Sequence, residues 1–191
     1  MMTRHKAAPG GGPGAAGDQR GARSDSMLQA TSDISDELQL LGCLLRCGSA
    51  DEVVGMTYAV PPRVFDNRLN AAMWRAGEQL AAHGVADAVT VVQSVLVAGL
   101  WPRDLHHEVT VRALDAVEGS RFDPWEWRIP ALAVLEAHVR RETARRLALV
   151  ASILPSARVQ DVVRGLLDAA EYAEVVVGWI GHVSAGEGVA A

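Results

Sequence analysis

Phe65–Val92 reads FDNRLNAAMWRAGEQLAAHGVADAVTVV, and the fold is decided there. Asp66 or Asn67 supplies a helix cap, because a short side-chain oxygen accepts from the free amides of the first turn. Leu69, Ala72, Met73, Ala76 and Leu80 then recur at helical spacing and share one face. Arg68, Arg75, Glu78 and Gln79 take the water. Gly84, after His83, suits a helix end that needs positive φ, with an imidazole beside the last carbonyls. Asp87 caps a second helix whose buried side is expected to carry Val89, Val92 and Leu96. Two helices with a short turn between them must pack on each other and on further elements. The expected class is therefore all-α.

Towards the N-terminus, residues 35–48 read SDELQLLGCLLRCG. Ser35 is the cap, and the acids of the first turn meet the positive end of the helix dipole. Leu38, Leu41 and Leu45 share a face that Leu40 and Leu44 widen. Gly42 in mid-helix costs about 1 kcal/mol against Ala, which close approach of a neighbouring helix would explain. Ser49 and Glu52 have the spacing of a capping box for a short next helix. Pro61 and Pro62 end that helix, and Phe65 plugs the core at the turn. Residues 1–33 are rich in Gly, Ala and Pro without apolar period, so a disordered tail is expected. Arg4, Lys6, Arg20 and Arg23 make it mildly basic.

Towards the C-terminus, Pro102 suits the first turn of a helix running to about Val117, with Leu105, Val109, Leu114 and Val117 on one side. Gly119-Ser120 interrupts. Asp123-Pro124 opens a long helix with a kink expected at Pro130. Its stripe is Leu132, Leu135, Val139, Thr143, Leu147, Val150 and Leu154. After Pro155-Ser156, a last helix places Val159, Val162, Leu166, Ala170, Ala173, Val177 and Ile180 on one face. Each long helix spans on the order of 35–45 Å. The expected organisation is a globular helical head over 34–121, a helical hairpin with linker-like helix over 122–183, and a flexible C-terminus over 184–191. Leu149, Ile153, Leu167, Val175, Val176 and Trp179 lie off the main stripes and need a partner. Trp125 and Trp127 join them as core or interface anchors, with one more exposed than the other.

The chain has 191 residues and a net charge of −5, which opposes a surface built to neutralise phosphates. Arg140, Arg141, Arg145 and Arg146 form the densest basic cluster. The plainer reading is salt bridges with Glu136 and Glu142; the sharper one is contact with nucleic acid or an acidic partner. Cys43 and Cys47, the only cysteines, sit four apart and read as reduced cytosolic thiols. The first residues have no apolar leader core and no run suits a membrane span, so a cytoplasmic protein is expected. His106-His107-Glu108 lacks HExxH spacing, because Val111 stands four after His107. No GxSxG elbow is present. No catalytic residue, cofactor or metal is therefore expected.

Residues 37–45, with Glu37, Leu40, Leu41, Gly42, Leu44 and Leu45, resemble the opening helix of the N-terminal domain of DnaB-type replicative helicases. Phe65, Trp74, Leu80 and Gly84 are similar to that family's next signature, and Asp87 before Val89-Thr90-Val91 to its following cap. Trp125 to Val183 is similar to the family's helical hairpin and linker helix. The chain is one residue shorter than the family between Gly84 and Asp87. The resemblance covers roughly 35–183 and implies a collar-type domain that pairs with itself and binds primase or helicase. The family's motor requires GxxxxGK[ST], but the single lysine, Lys6, is followed by alanine. The expected function is thus a replication-associated interaction module without a motor, a homodimer or higher oligomer. The alternatives are a nucleic-acid-binding regulator of replication, or an N-terminal part of a helicase. The ending GHVSAGEGVAA reads as a true flexible terminus rather than a cut inside a helix.

Overall fold

The computed structural model describes residues 34–99 and 102–185, within which every regular element is helical. The tail expected over 1–33, with its basic residues, lies outside them, as do residues 186–191. The α-helices are α1 (Asp36–Arg46), α2 (Ala50–Ala59), α3 (Arg68–Ala81), α4 (Ala88–Val97), α5 (His106–Gly119), α6 (Arg128–Ile153) and α7 (Val159–Ala185). Short 3-10 turns at Pro62–Val64, Arg103–Leu105 and Pro124–Glu126 lead into α3, α5 and α6.

The hub is α1 rather than α3. Seven consecutive residues, Gln39–Leu45, are buried, because α3, α4, α5 and α6 all lie against α1. A helix enclosed on every side must be apolar all round. The close approach expected at Gly42 is present: a Cβ there would strike the Ala116 carbonyl oxygen and the Ser120 side chain of the α5 end. Ser120 Oγ in turn donates to the Gln39 carbonyl at 3.1 Å. The caps follow their chemistry. Ser35 Oγ accepts from Leu38 N, Ser49 Oγ from Glu52 N, Asn67 Oδ1 from Leu69 N and Asn70 N, and Asp87 Oδ1 from Thr90 N. Gly84 has φ 77°.

The core joins Leu40, Leu41, Leu44 and Leu45 to Met56, Phe65, Leu69, Met73 and Trp74. Trp74 is wholly enclosed. Its Nε1 donates to the Val60 carbonyl at 2.6 Å, and its ring centroid lies 5.2 Å from that of Phe65. Beside it lies a polar knot that the hydrophobic pattern does not announce. Glu37 accepts from Asp66 N at 2.6 Å, Asn67 N at 3.2 Å and Asn70 Nδ2 at 2.8 Å. Arg112 Nε donates to Asn70 Oδ1 at 2.8 Å. The Glu37 carboxylate therefore ties α1 to the start of α3. Glu37→Ala is expected to lower stability by about 2 kcal/mol, read as a lower urea midpoint at unchanged slope.

Several expected buried positions move. Val89 is exposed and Val91 and Val95 face the core, with Val92 and Leu96 partly buried. Leu114 is exposed, because Ala113 and Ala116 are the residues small enough to let α5 close on α1. Pro130 makes no kink. It is the third residue of α6, where a helix has no partner for the N–H that proline lacks.

The helices α6 and α7 pack on each other. His138 meets Tyr172, Arg146 lies over Tyr172, and Gly165 lies against Val150, so partners rise in one helix as they fall in the other. The pair runs antiparallel. Ala131, Val134 and Leu135 of α6 and Val183 of α7 belong to the same core as α1. One continuous core thus crosses the boundary expected at 121/122. Helix α7 also continues through Ala185, past the end expected at 183.

Candidate interaction surface

The sequence pattern predicts that the last helix buries Val159, Val162, Leu166, Ala170, Ala173, Val177 and Ile180. The structure turns it. The seam that meets α6 and the core is Val162, Gly165, Ala169, Tyr172, Val176, Trp179 and Val183, at spacings of three and four. That is itself a coiled-coil period. Val176 is buried, and Trp179 packs on the core with the Arg63 guanidinium 5.6 Å from its ring centre. Val176 is thus enclosed within the chain, and Trp179 is partly so. The sequence carries two interleaved seams, and the head takes the one that contains the large aromatics.

The other seam is left in solvent. Val159 is 78% exposed, Val163 48%, Leu166 46% and Val177 61%. Leu147 of α6 and Leu154, the residue just past its end, both expected in the buried stripe, are also exposed, while Leu135 and Val150 are buried. Successive residues turn by ~100°. Leu147 and Leu154 therefore lie to one side of the α6 line that meets α7. Val159, Val163, Leu166 and Val177 lie to one side of the α7 line that meets α6. In an antiparallel pair, both rotations come out on the same flank. The result is a two-helix apolar face bounded by Arg140 and Glu174.

The residues expected to form one interface are dispersed. Leu149 and Val175 are exposed but on the opposite flank, among Arg145, Arg164 and Asp168. Ile153 turns towards α7 and is half-buried; Leu167 is exposed on the back of α7. Trp125 is exposed at the foot of α6, and Trp127 packs against the core with Arg128 over its ring. The even spacing of the two tryptophans thus separates them as expected.

The arginine cluster is held within the fold. Arg140 pairs with Glu136 at 2.8 Å. Arg145 and Arg146 both meet Glu142, at 3.7 Å and 3.1 Å. Arg141 Nη2 donates to the Val64 carbonyl at 2.9 Å, and its Nε lies 3.7 Å from Asp66. At ~100° per residue the four point around α6 rather than along one strip. That favours the plainer reading over a phosphate-tracking surface, although such exposed pairs are worth only about 0.5 kcal/mol each.

A cleft of about 390 Å³ opens beside Ser35, Glu37, Asp66, Arg112, Val134 and Arg141. Glu37, Arg112 and Arg141 are the same side chains that bond Asn70, Asp66 and Val64. Both cysteines are buried and unpaired. Burial pushes the Cys43 thiol up to about 11 and also raises Cys47. Cys47 Sγ donates to Glu52 Oε2 at 3.2 Å. Both thiols therefore keep their protons at neutral pH. Among the described residues, no group of His, Cys, Asp and Glu is arranged to hold a metal, and no helix is long and apolar enough to cross a membrane. No family model, curated protein or solved structure matches this chain.

Proposed function

We propose that this chain is a replication-associated interaction module of the type that forms the collar of DnaB-type helicases. It pairs with itself through its two long helices, presents the pair to a primase or a helicase, and carries no motor of its own. The resemblance of residues 35–183 to the collar domain suggests the replication setting. The observation that carries self-association is the apolar flank of Leu147, Leu154, Val159, Val163, Leu166 and Val177, open along the α6–α7 pair. Two such flanks make a four-helix bundle related by a two-fold axis.

The magnitudes suit a reversible dimer. Fully burying a Val or Leu stabilises by ~1.5–3 kcal/mol, so six half-exposed side chains contribute about 1 kcal/mol each. Two copies give roughly 12 kcal/mol, against an association cost of about 4–15 kcal/mol. Pairing is expected at micromolar concentration. Light scattering on a size-exclusion column should give twice the chain mass there. The double variant V163D/L166D should give a monomer of unchanged helix content, because both charges would be buried unpaired in the bundle. A wild-type protein that stays monomeric, or a variant that still dimerises, counts against this flank.

A further inference from the structure

The open flank is patterned along its length. Val150 lies against Gly165, and His138 meets Tyr172. These contacts set Leu154 level with Val159, Leu147 with Val163 and Leu166, and Arg140 with Ala170 to Glu174. Towards the turn at 154–158, both helices are apolar on this side. Towards the head, α6 presents Arg140 and Glu136, an ion pair at 2.8 Å whose side chains stay 77% and 51% exposed. At the same level α7 presents Ala170 and Ala173, with Glu174 exposed at the rim. One helix thus carries a long cation where the other carries small side chains and an acid.

Two arrangements stack one flank on another about a two-fold axis. With the axis along the helices, both heads lie at one end, and each α6 faces the second copy's α7 at its own level. Leu147 then lies over Val163 and Leu166, and Leu154 over Val159. Arg140 lies over the two alanines with Glu174 in reach. It keeps Glu136 as its partner within the chain, since a guanidinium has five N–H donors. With the axis across the helices, the heads lie at opposite ends, and each α6 faces the other α6 running the opposite way. Leu154 of each copy then covers the Arg140–Glu136 pair of the other. That takes both charges out of water against a side chain that offers them no hydrogen bond.

We propose that two copies pair with their heads together, Arg140 of each reaching Glu174 of the other. This inference rests on the self-association reading above and fixes how the second copy sits. Its consequence is polarity: the pair offers two heads side by side at one end and two helical turns at the other.

Charge exchange between separately made chains tests the arrangement. The variants R140E and E174R each set like charges across the contact. Each alone should dimerise about tenfold more weakly than wild type, with unchanged helix content. In an equimolar mixture, a hybrid of the two sets opposite charges across both contacts, so dimers should return. Contacts within one chain cannot produce that rescue. Ser156→Cys adds a distance. With heads together, the two substituted turns are neighbours and a short bifunctional maleimide should join them. With heads apart, about 20 overlapping residues at ~1.5 Å each hold the turns roughly 30 Å from one another. The native Cys43 and Cys47 are buried, so wild type is the control. A wild-type chain that stays monomeric removes the self-association reading and this arrangement with it. A wild-type dimer whose charge variants pair normally, fail to rescue one another, or whose Ser156→Cys form stays unlinked leaves the flank standing and overturns the heads-together pairing.

Discussion

Trp74→Ala is expected to leave the chain largely unfolded at room temperature. The indole is wholly enclosed and packs with its ring 5.2 Å from Phe65. Its removal costs about 3–5 kcal/mol in transfer and cavity terms. The Nε1–H also satisfies the carbonyl of Val60, the residue that caps the end of α2. Leaving that buried acceptor alone adds roughly 1–3 kcal/mol. The sum rivals the whole stability of an ordinary domain, ~5–15 kcal/mol. Trp74→Phe separates the two terms, since it refills most of the volume and still orphans Val60. It should fold with a loss of about 2 kcal/mol. Urea melts followed by circular dichroism give both values. A folded Trp74→Ala protein that loses less than ~2 kcal/mol would remove Trp74 from the centre of the core.

The contrast between Trp74 and Trp179 shows what the sequence makes legible. In α3, charged residues mark the solvent side, and Leu69, Met73 and Ala76 are buried as expected, while Ala72 and Leu80 are only partly buried and Asn70 and Trp74, off the expected face, are wholly enclosed. The caps at Ser35, Ser49, Asn67 and Asp87 are legible for the same local reason: each acts within its own first turn. In α7, two seams of equal period lie side by side. Periodicity cannot choose between them. The choice is made by the head, which accommodates Trp179 under Arg63 and takes Val183 into its core. The regular stripe of Val159, Leu166 and Val177 then becomes the exposed flank.

The knot of Glu37, Asn70 and Arg112 is hidden from the sequence for a related reason. Asn70 lies 33 residues from Glu37 and 42 from Arg112, and their meeting is a property of the packed bundle. The one local hint is Asn70, a polar residue one position after Leu69 and four before Trp74. The His138–Tyr172 contact likewise joins residues 34 apart. Tyr172 becomes conspicuous only once the inner seam is known. The exposed flank and the His138–Tyr172 contact are therefore both consequences of how α7 is rotated, and that rotation is a tertiary choice.

Gly42→Ala is expected to cost about 3 kcal/mol, although alanine is the better helix former by about 1 kcal/mol. Propensity and packing oppose each other at this position, and geometry decides between them. The new Cβ would fall inside contact distance of the Ala116 carbonyl oxygen and the Ser120 Cβ. The carbonyl oxygen cannot step aside by changing a rotamer. Helix α5 would have to move bodily from α1. It is also fixed there by the bond from Ser120 Oγ to Gln39 O and by Arg46, which reaches Ser120 Oγ and the Phe122 carbonyl. Overpacking of this kind costs roughly 1–3 kcal/mol, and more where backbone must shift. Gly77→Ala is the internal comparison. Its Cβ would meet Leu44 Cδ2 at 2.8 Å, the movable end of a side chain. Gly77→Ala should therefore lose no more than ~1 kcal/mol after the propensity gain. If chemical melts rank the two variants in the other order, the α1–α5 contact is not the rigid one. A near-neutral Gly42→Ala would mean that α5 stands further from α1 than this packing requires.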